Sequence, residues 1–239
     1  MEIWGHRGAY DCAPENTLTS FQLAADMGAY GVELDIQLTR DGEVVVIHDE
    51  TVDRTSSGSG YVKDFTLSEI KKLNLNKYDI SSLSHIEIPT LAEVLELLKP
   101  TQLKINIEFK TGVFEYEGIE AKALNIAMQN NMTDRIVWSS FNHYSVQELK
   151  QLEREAEIAL LCAGEVFVTG EQCEKMGAAA LHPNINQIHY SKLVKECHSR
   201  GIKVRAWTIN NLHELQLAKS LNIDGIFTNS IGLVRGKPS

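Results

Sequence analysis

Several features that would set this chain apart are missing. Among 239 residues there are only 5 prolines and 4 cysteines, and aromatic residues make up 7%. No Pro- or Gly/Ser-rich stretch is long enough to separate domains. No run of about 18 apolar residues occurs, so no segment is expected to cross a membrane as a helix. Cys12, Cys162, Cys173 and Cys197 form no C-x-x-C pair and no zinc-ligand spacing, which suits unpaired thiols in a reducing compartment. Met1-Glu2-Ile3-Trp4-Gly5 has neither the basic nor the apolar region of a signal peptide, so a cytoplasmic location is expected. Basic charge is also short: 23 Lys and Arg against 32 Asp and Glu give −9, without a basic block. Nucleic-acid binding runs on phosphate neutralisation, so no nucleic-acid partner is expected.

What is present is ordinary globular composition, 43% hydrophobic, in a chain long enough to bury a large core. Nine strand-like runs are read: Glu2–His6, Gly31–Gln37, Val44–His48, Lys104–Lys110, Arg135–Phe141, Glu157–Cys162, Ala178–His182, Lys203–Thr208 and Asp224–Thr228. Helical periodicity fills most of the intervals, in Pro14–Met27, Thr66–Leu73, Thr90–Lys99, Glu115–Asn131, Asn142–Glu155, Tyr190–Arg200 and Leu212–Leu221. Alternation of this kind means β/α units and a parallel sheet. One strand is surplus to an eightfold barrel. Asp41-Gly42 separates two alternating runs and predicts a two-residue hairpin, so Val44–His48 should lie antiparallel to the second strand. The remainder is a single-domain (β/α)8 barrel with an insertion over about 49–101, in which Ser56–Gly60 reads as a flexible loop tip. A doubly wound open sheet is disfavoured because no glycine-rich dinucleotide fingerprint follows the first strand.

Strand alternation divides the side chains by face. In the second strand Val32, Leu34 and Ile36 face one way, and Glu33, Asp35 and Gln37 the other. In 103–110, Ile105, Ile107 and Phe109 oppose Asn106, Glu108 and Lys110. Apolar faces should meet the outer helices. The carboxylates then point into the lumen near the C-terminal strand ends, where barrel enzymes carry their sites. A two-residue turn pairs Arg40 with Glu43, hence Asp35 with His48, at about 4.5–5.5 Å on one face. The first strand ends in His6-Arg7-Gly8 at the same mouth. Three carboxylates packed together repel unless a cation joins them, and an all-oxygen set suits magnesium or calcium. With Arg7 and Lys110 the set carries a local charge of about +1, from three negative, two metal and two basic charges, which suits an anionic substrate. Two histidines complete an acid–base pair.

His6-Arg7-Gly8, Pro14-Glu15-Asn16-Thr17, Glu33-Leu34-Asp35, Thr39-Arg40-Asp41-Gly42 and His48-Asp49 resemble the motif series of the glycerophosphodiester phosphodiesterase family. Arg54-Thr55, Glu108-Phe109-Lys110, Ser139-Ser140-Phe141, His182-Pro183-Asn184, Trp207-Thr208 and Asp224–Thr228 extend the likeness over nearly the whole chain. The resemblance implies a (β/α)8 barrel that hydrolyses glycerophosphodiesters to glycerol 3-phosphate and an alcohol. It implies one divalent metal on Glu33, Asp35 and Glu108, His6 and His48 as acid and base, and Arg7 and Lys110 on the phosphate. The nucleophile is either water or the glycerol 2-hydroxyl, by way of a cyclic phosphate.

Trp207 is a candidate substrate contact, with Phe141, as an apolar wall for the glycerol carbons. His182 and Asn184 are candidates for the mouth. Glu15 reads as a helix-start carboxylate or a site residue. His85, His143, His189, His198 and His213 are assigned no role. Two rival functions remain: a related barrel phosphodiesterase acting on lysophospholipid or phosphoinositide, and a non-catalytic glycerophosphodiester-binding protein. No basic amphipathic helix and no exposed aromatic cluster is read, which argues against stable membrane association. The sequence carries no reading of oligomeric state or head-group preference.

Overall fold

The computed structural model describes residues 1–75, 85–164, 167–188 and 191–232. Its strands are β1 (Glu2–Gly5), β2 (Gly31–Leu38), β3 (Val44–Val46), β4 (Lys104–Phe109), β5 (Ile136–Ser140), β6 (Glu157–Cys162), β7 (Ala180–Pro183), β8 (Lys203–Ala206) and β9 (Gly225–Thr228). The helices are α1 (Leu18–Asp26), α2 (Leu67–Ile70), α3 (Leu91–Leu98), α4 (Ile119–Gln129), α5 (His143–Leu152), α6 (Gly170–Lys175), α7 (Ser191–Ser199) and α8 (Leu212–Ser220). Every strand except β3 runs parallel to its neighbours, and β1 pairs with both β2 and β9. The sheet therefore closes into the expected eight-stranded parallel barrel, with β3 antiparallel on β2 outside it. Among the described residues no helix is long and apolar enough to cross a membrane.

The pleat sorts the core into layers. Val32, Leu34 and Ile36 of β2, with Ile105, Ile107 and Phe109 of β4, are buried outward against Phe21, Leu91, Leu95 and Ile119 of the helices. Full burial of each such side chain is worth about 1.5–3 kcal/mol. A smaller inner cluster fills the lumen with Trp4, Val137, Ala159, Ala180 and Phe227. The barrel is thus packed, and only its upper end is open to chemistry. The inner floor also holds Arg205, 2% exposed, which sequence reading passed over. Its charge is met by Glu2 and Glu157.

Helix starts follow local chemistry. Thr17, Thr66, Thr90 and Thr169 each accept a hydrogen bond from the backbone three residues on, and the third residue reaches back in every case. Such caps are worth about 1 kcal/mol. The Thr17 cap starts α1 at Leu18, so Pro14 and Glu15 lie before the helix and not in its first turn. The six-residue α6, started by the Thr169–Gln172 capping box, has no counterpart among the helices read from the sequence. The start of the helix read at Tyr190, and His189, lie outside the described residues.

The insertion differs from expectation in two respects. Thr39 and Glu43 bracket a three-residue loop, not a two-residue one, with Gly42 at φ +80. A three-residue hairpin needs that left-handed position, and it shifts the register by one, pairing Ile36 with Val46. The segment Ser56–Gly60 is not a free tip. Ser56 is buried with its hydroxyl on the Val52 carbonyl, and Asp53 accepts from Ser59 and the Gly60 amide. The insertion has a core of its own from Val45, Ile47, Val52, Val62, Ile70 and Ile88. Residues 76–84 of it lie outside the described residues.

Gly31 opens β2 where a Cβ would stand 2.5 Å from the Trp4 ring and 2.6 Å from the Lys104 carbonyl. Gly31→Ala is expected to cost about 1–3 kcal/mol in urea unfolding. Gly112→Ala, whose methyl would meet nothing within 4 Å, is expected to change stability by less than about 0.5 kcal/mol. Equal stability of the two variants would show that the β1–β2 contact yields without cost.

Candidate active site

The parallel register of β2 and β4 places Asp35 opposite Glu108, with Glu33 one inward step below. One oxygen from each of the three carboxylates lies within 4.8 Å of the others, and all three residues are buried. Burial, followed by Asp35 and Glu108, drives the Glu33 carboxyl well above its usual range. Burial raises Glu108 as well, against the pull of Lys110. At Asp35 burial is overcome by His48, Lys110 and Arg7 and by a 2.9 Å hydrogen bond from Asn16, which together hold it low. Burial and mutual repulsion thus disfavour the charged forms of Glu33 and Glu108. Asp35 Oδ1 is buried and lacks a hydrogen bond. A hard divalent cation fits this set, since it would meet that oxygen and relieve the repulsion.

The loop after β1 folds over the carboxylates. Arg7 takes φ 56 and Gly8 φ 88, and a Cβ on Gly8 would lie 2.4 Å from Ser20 Oγ, so only glycine closes this turn. The turn aims the Arg7 amide at Glu33, 2.8 Å away. The Arg7 guanidinium donates to Glu15 at 2.9 Å and lies 3.7 Å from Asp35. His6 Nδ1 meets Asn229 Oδ1 at 2.7 Å, and its Nε2 lies 3.9 Å from Glu33. Burial and then Arg7 push the His6 ring down to about 4, so it is neutral near pH 7. Lys110 donates to Glu108 at 2.9 Å and stands 3.8 Å from Asp35. Burial opposes its charge, but Glu108 and Asp35 raise it above the usual lysine range.

His48 reaches the mouth by a route that sequence reading did not foresee. The expected pairing with Asp35 is absent, because the shifted register would turn His48 outward and β3 ends at Val46. Instead the Gln37 amide faces the carbonyls of Ile47, His48 and Asp49 at 3.1, 3.1 and 2.7 Å and wraps the chain around itself. Tyr116 donates to Gln37 Oε1 at 2.8 Å and fixes the amide. His48 then meets Asp49 through Nδ1 at 2.6 Å, and its Nε2 lies 3.3 Å from Lys110. Arg54 bridges Asp49 and Glu15, tying the insertion to the β1 loop. Glu15 is therefore an anchor for two arginines and not a helix cap.

Above the carboxylates is a cavity of about 130 Å3 lined by His6, Arg7, Glu33, His48 and Glu108 on one side and by Phe141, Leu161, His182, Trp207 and Phe227 on the other. Phe141 and Trp207 meet edge to face at 5.6 Å. Of the expected residues, His6, Arg7, Glu33, His48 and Glu108 line the cavity, while Asp35 and Lys110 contact that set without lining it. His182 lines it, but Asn184 caps its own short turn through the Asn186 amide. His143 is spent on the Leu161 carbonyl. Tyr61, edge to face with Phe114 at 5.3 Å, and Tyr144 are exposed. Reading missed Asn229, Asp49, Gln37 and Asn106. Alternation from Gly225 through Phe227 would have carried Asn229 into the lumen, and Asp49 already stood beside His48.

The family model for glycerophosphoryl diester phosphodiesterases matches residues 6–233. A glycerophosphodiester phosphodiesterase of Caldanaerobacter subterraneus subsp. tengcongensis is 41% identical over 237 residues, covering 98% of this chain and 97% of that protein. One of Bacillus altitudinis is 35% identical over 230 residues, covering 95% and 94%. Among solved structures, an Oleispira antarctica phosphodiesterase in complex with the product sn-glycerol-3-phosphate superposes with a TM-score of 0.90 at 28% identity, covering 99% of this chain and 96% of that one.

Gln37→Leu removes the donor that faces three carbonyls and orphans the Tyr116 hydroxyl. We expect a loss of about 2–4 kcal/mol in urea unfolding. A loss below about 1 kcal/mol would mean that the carbonyls of 47–49 reach water without Gln37.

Proposed function

The chain belongs to the glycerophosphoryl diester phosphodiesterase family, and from that premise we propose that it hydrolyses glycerophosphodiesters to sn-glycerol 3-phosphate and an alcohol with one divalent cation and two histidines. The observation that carries this reading is the meeting of three buried carboxylates, two imidazoles and two cations at one cavity mouth. Magnesium or calcium on Glu33, Asp35 and Glu108 would polarise the phosphoryl oxygens when bound. Arg7 and Lys110 lie beside the same carboxylates and supply positive charge for the phosphate and for the charge that develops on it.

The partners of the two histidines separate their roles. His6 is held through Nδ1 by a neutral amide oxygen and is kept neutral by burial. Its Nε2 is then free to accept the proton of the nucleophile. His48 is oriented through Nδ1 by the Asp49 carboxylate. It supplies the proton to the leaving alkoxide. Asp49 is in turn fixed by Arg54, which keeps the donor aligned. The substrate is a small molecule, in keeping with the sn-glycerol-3-phosphate bound by the Oleispira antarctica neighbour.

The test is release of sn-glycerol 3-phosphate from glycerophosphocholine and glycerophosphoethanolamine with magnesium, with calcium and with a chelator. Release should require the metal. His6→Ala and His48→Ala should each lower kcat about 10²–10⁴-fold. Glu33→Gln should raise the metal concentration needed for activity. Full activity in chelator, or no release from either diester with either metal, would overturn this reading.

A further inference from the structure

The cavity ends in two buried polar side chains that the proposed reaction does not use. His182 on β7 is fully buried and lines the cavity. Its Nε2 lies 3.4 Å from Arg205 Nη1. A guanidinium only donates, so Nε2 accepts and the ring proton sits on Nδ1. Arg205 is held in that pose by Glu2 at 2.7 Å and Glu157 at 3.2 Å, with Trp4 beneath it at 5.3 Å. Burial, then Arg205, pushes the His182 ring well below the usual histidine range and keeps it neutral. The resulting Nδ1–H is buried and has no hydrogen-bond partner.

Asn106 on β4 lines the same cavity and is 2% exposed. Its Nδ2 donates to Ser139 at 2.9 Å, and its Oδ1 has no partner. Buried polar atoms are seldom left unpaired in native proteins. Here one orphan donates and the other accepts, and hydroxyl groups do both. The wall between them is apolar, from Phe141, Trp207 and Phe227. At about 130 Å3 the cavity has room for a small polar molecule of several heavy atoms.

We propose that His182 and Asn106 recognise the hydroxyl groups of the glycerol moiety and so select a polyol over a plain alkyl alcohol on that side of the diester. The inference rests on the reaction proposed above. The carboxylates hold the phosphate side, and the glycerol carbons lie along the aromatic wall between Asn106, the register partner of Glu33, and His182. Arg205 acts through His182 as a positioning residue, because it sets which ring nitrogen carries the proton.

The experiment compares glycerophosphoethanolamine with the analogue whose terminal glycerol hydroxyl is replaced by hydrogen, leaving the 2-hydroxyl in place. The unaltered protein should favour the glycerol diester about 10–100-fold in kcat/KM, the scale set by leaving buried polar atoms unpaired. In His182→Leu and Asn106→Leu that ratio should shrink toward one, mainly through loss on the glycerol diester. His182→Gln, which keeps a donor, should retain part of it. Turnover of the deoxy analogue shows that a variant is folded, and the ratio in the unaltered protein is decisive if no variant folds. Equal turnover of both diesters by the unaltered protein would overturn the proposal, as would an unchanged ratio in folded variants. If the unaltered protein cleaves neither diester, the reaction reading fails, and equilibrium binding of sn-glycerol 3-phosphate against its deoxy analogue then decides the inference by the same ratio.

Discussion

Concentrated negative charge in a closed lumen governs most of this structure. One oxygen each of Glu33, Asp35 and Glu108 lies within 4.8 Å of the others, and water is largely excluded from them. In a medium of low effective dielectric, three ionised carboxylates at this spacing repel strongly. The surrounding sequence answers that repulsion. Arg7 folds over from β1, Lys110 stands at the end of β4, and Asn16 donates from the loop before α1. A divalent cation held by the three carboxylates would relieve the repulsion that remains.

Holding those cations in place has required a second ring of contacts. Glu15 binds Arg7 and Arg54, and Arg54 binds Asp49, which binds His48. This chain of charges joins the β1 loop to the insertion, two segments far apart in sequence. Gln37 does the same work for the backbone, because it supplies the donor that three successive carbonyls would lack beyond β3. The insertion is therefore a structural part of the site and not an ornament on the barrel. Its small apolar core, including Val52, Val62 and Ile70, gives the His48 segment a rigid base.

The barrel floor shows the same economy at a lower level. Arg205 is buried among Glu2, Glu157 and Trp4, and its contact with His182 passes the charge pattern of the floor up to the cavity as a choice of tautomer. The aromatic wall completes the division of the cavity into a charged side and an apolar side, which is the division an amphipathic diester presents.

The order of strands, the extra antiparallel strand and the faces of Glu33, Asp35, Glu108 and Lys110 were legible in the sequence, because they depend on a two-residue period that every strand must obey. The starts of α2 and α3 at Thr66 and Thr90 were legible too, whereas α1 was read from Pro14, ahead of its Thr17 cap. The hairpin register was misread because Asp-Gly suits a two-residue turn and a three-residue loop with glycine at its end equally well. Glu15, Asn229, Gln37 and Arg205 were misread or missed because their roles lie in partners from 8 to more than 200 residues away, such as Glu15 with Arg7 and Arg205 with Glu2. Local sequence by itself determined which residues could face the lumen. Only the tertiary structure decided which of them meet, because closing the barrel brings β1 against β9 and lays the insertion against the first loop, and no local period encodes those distances.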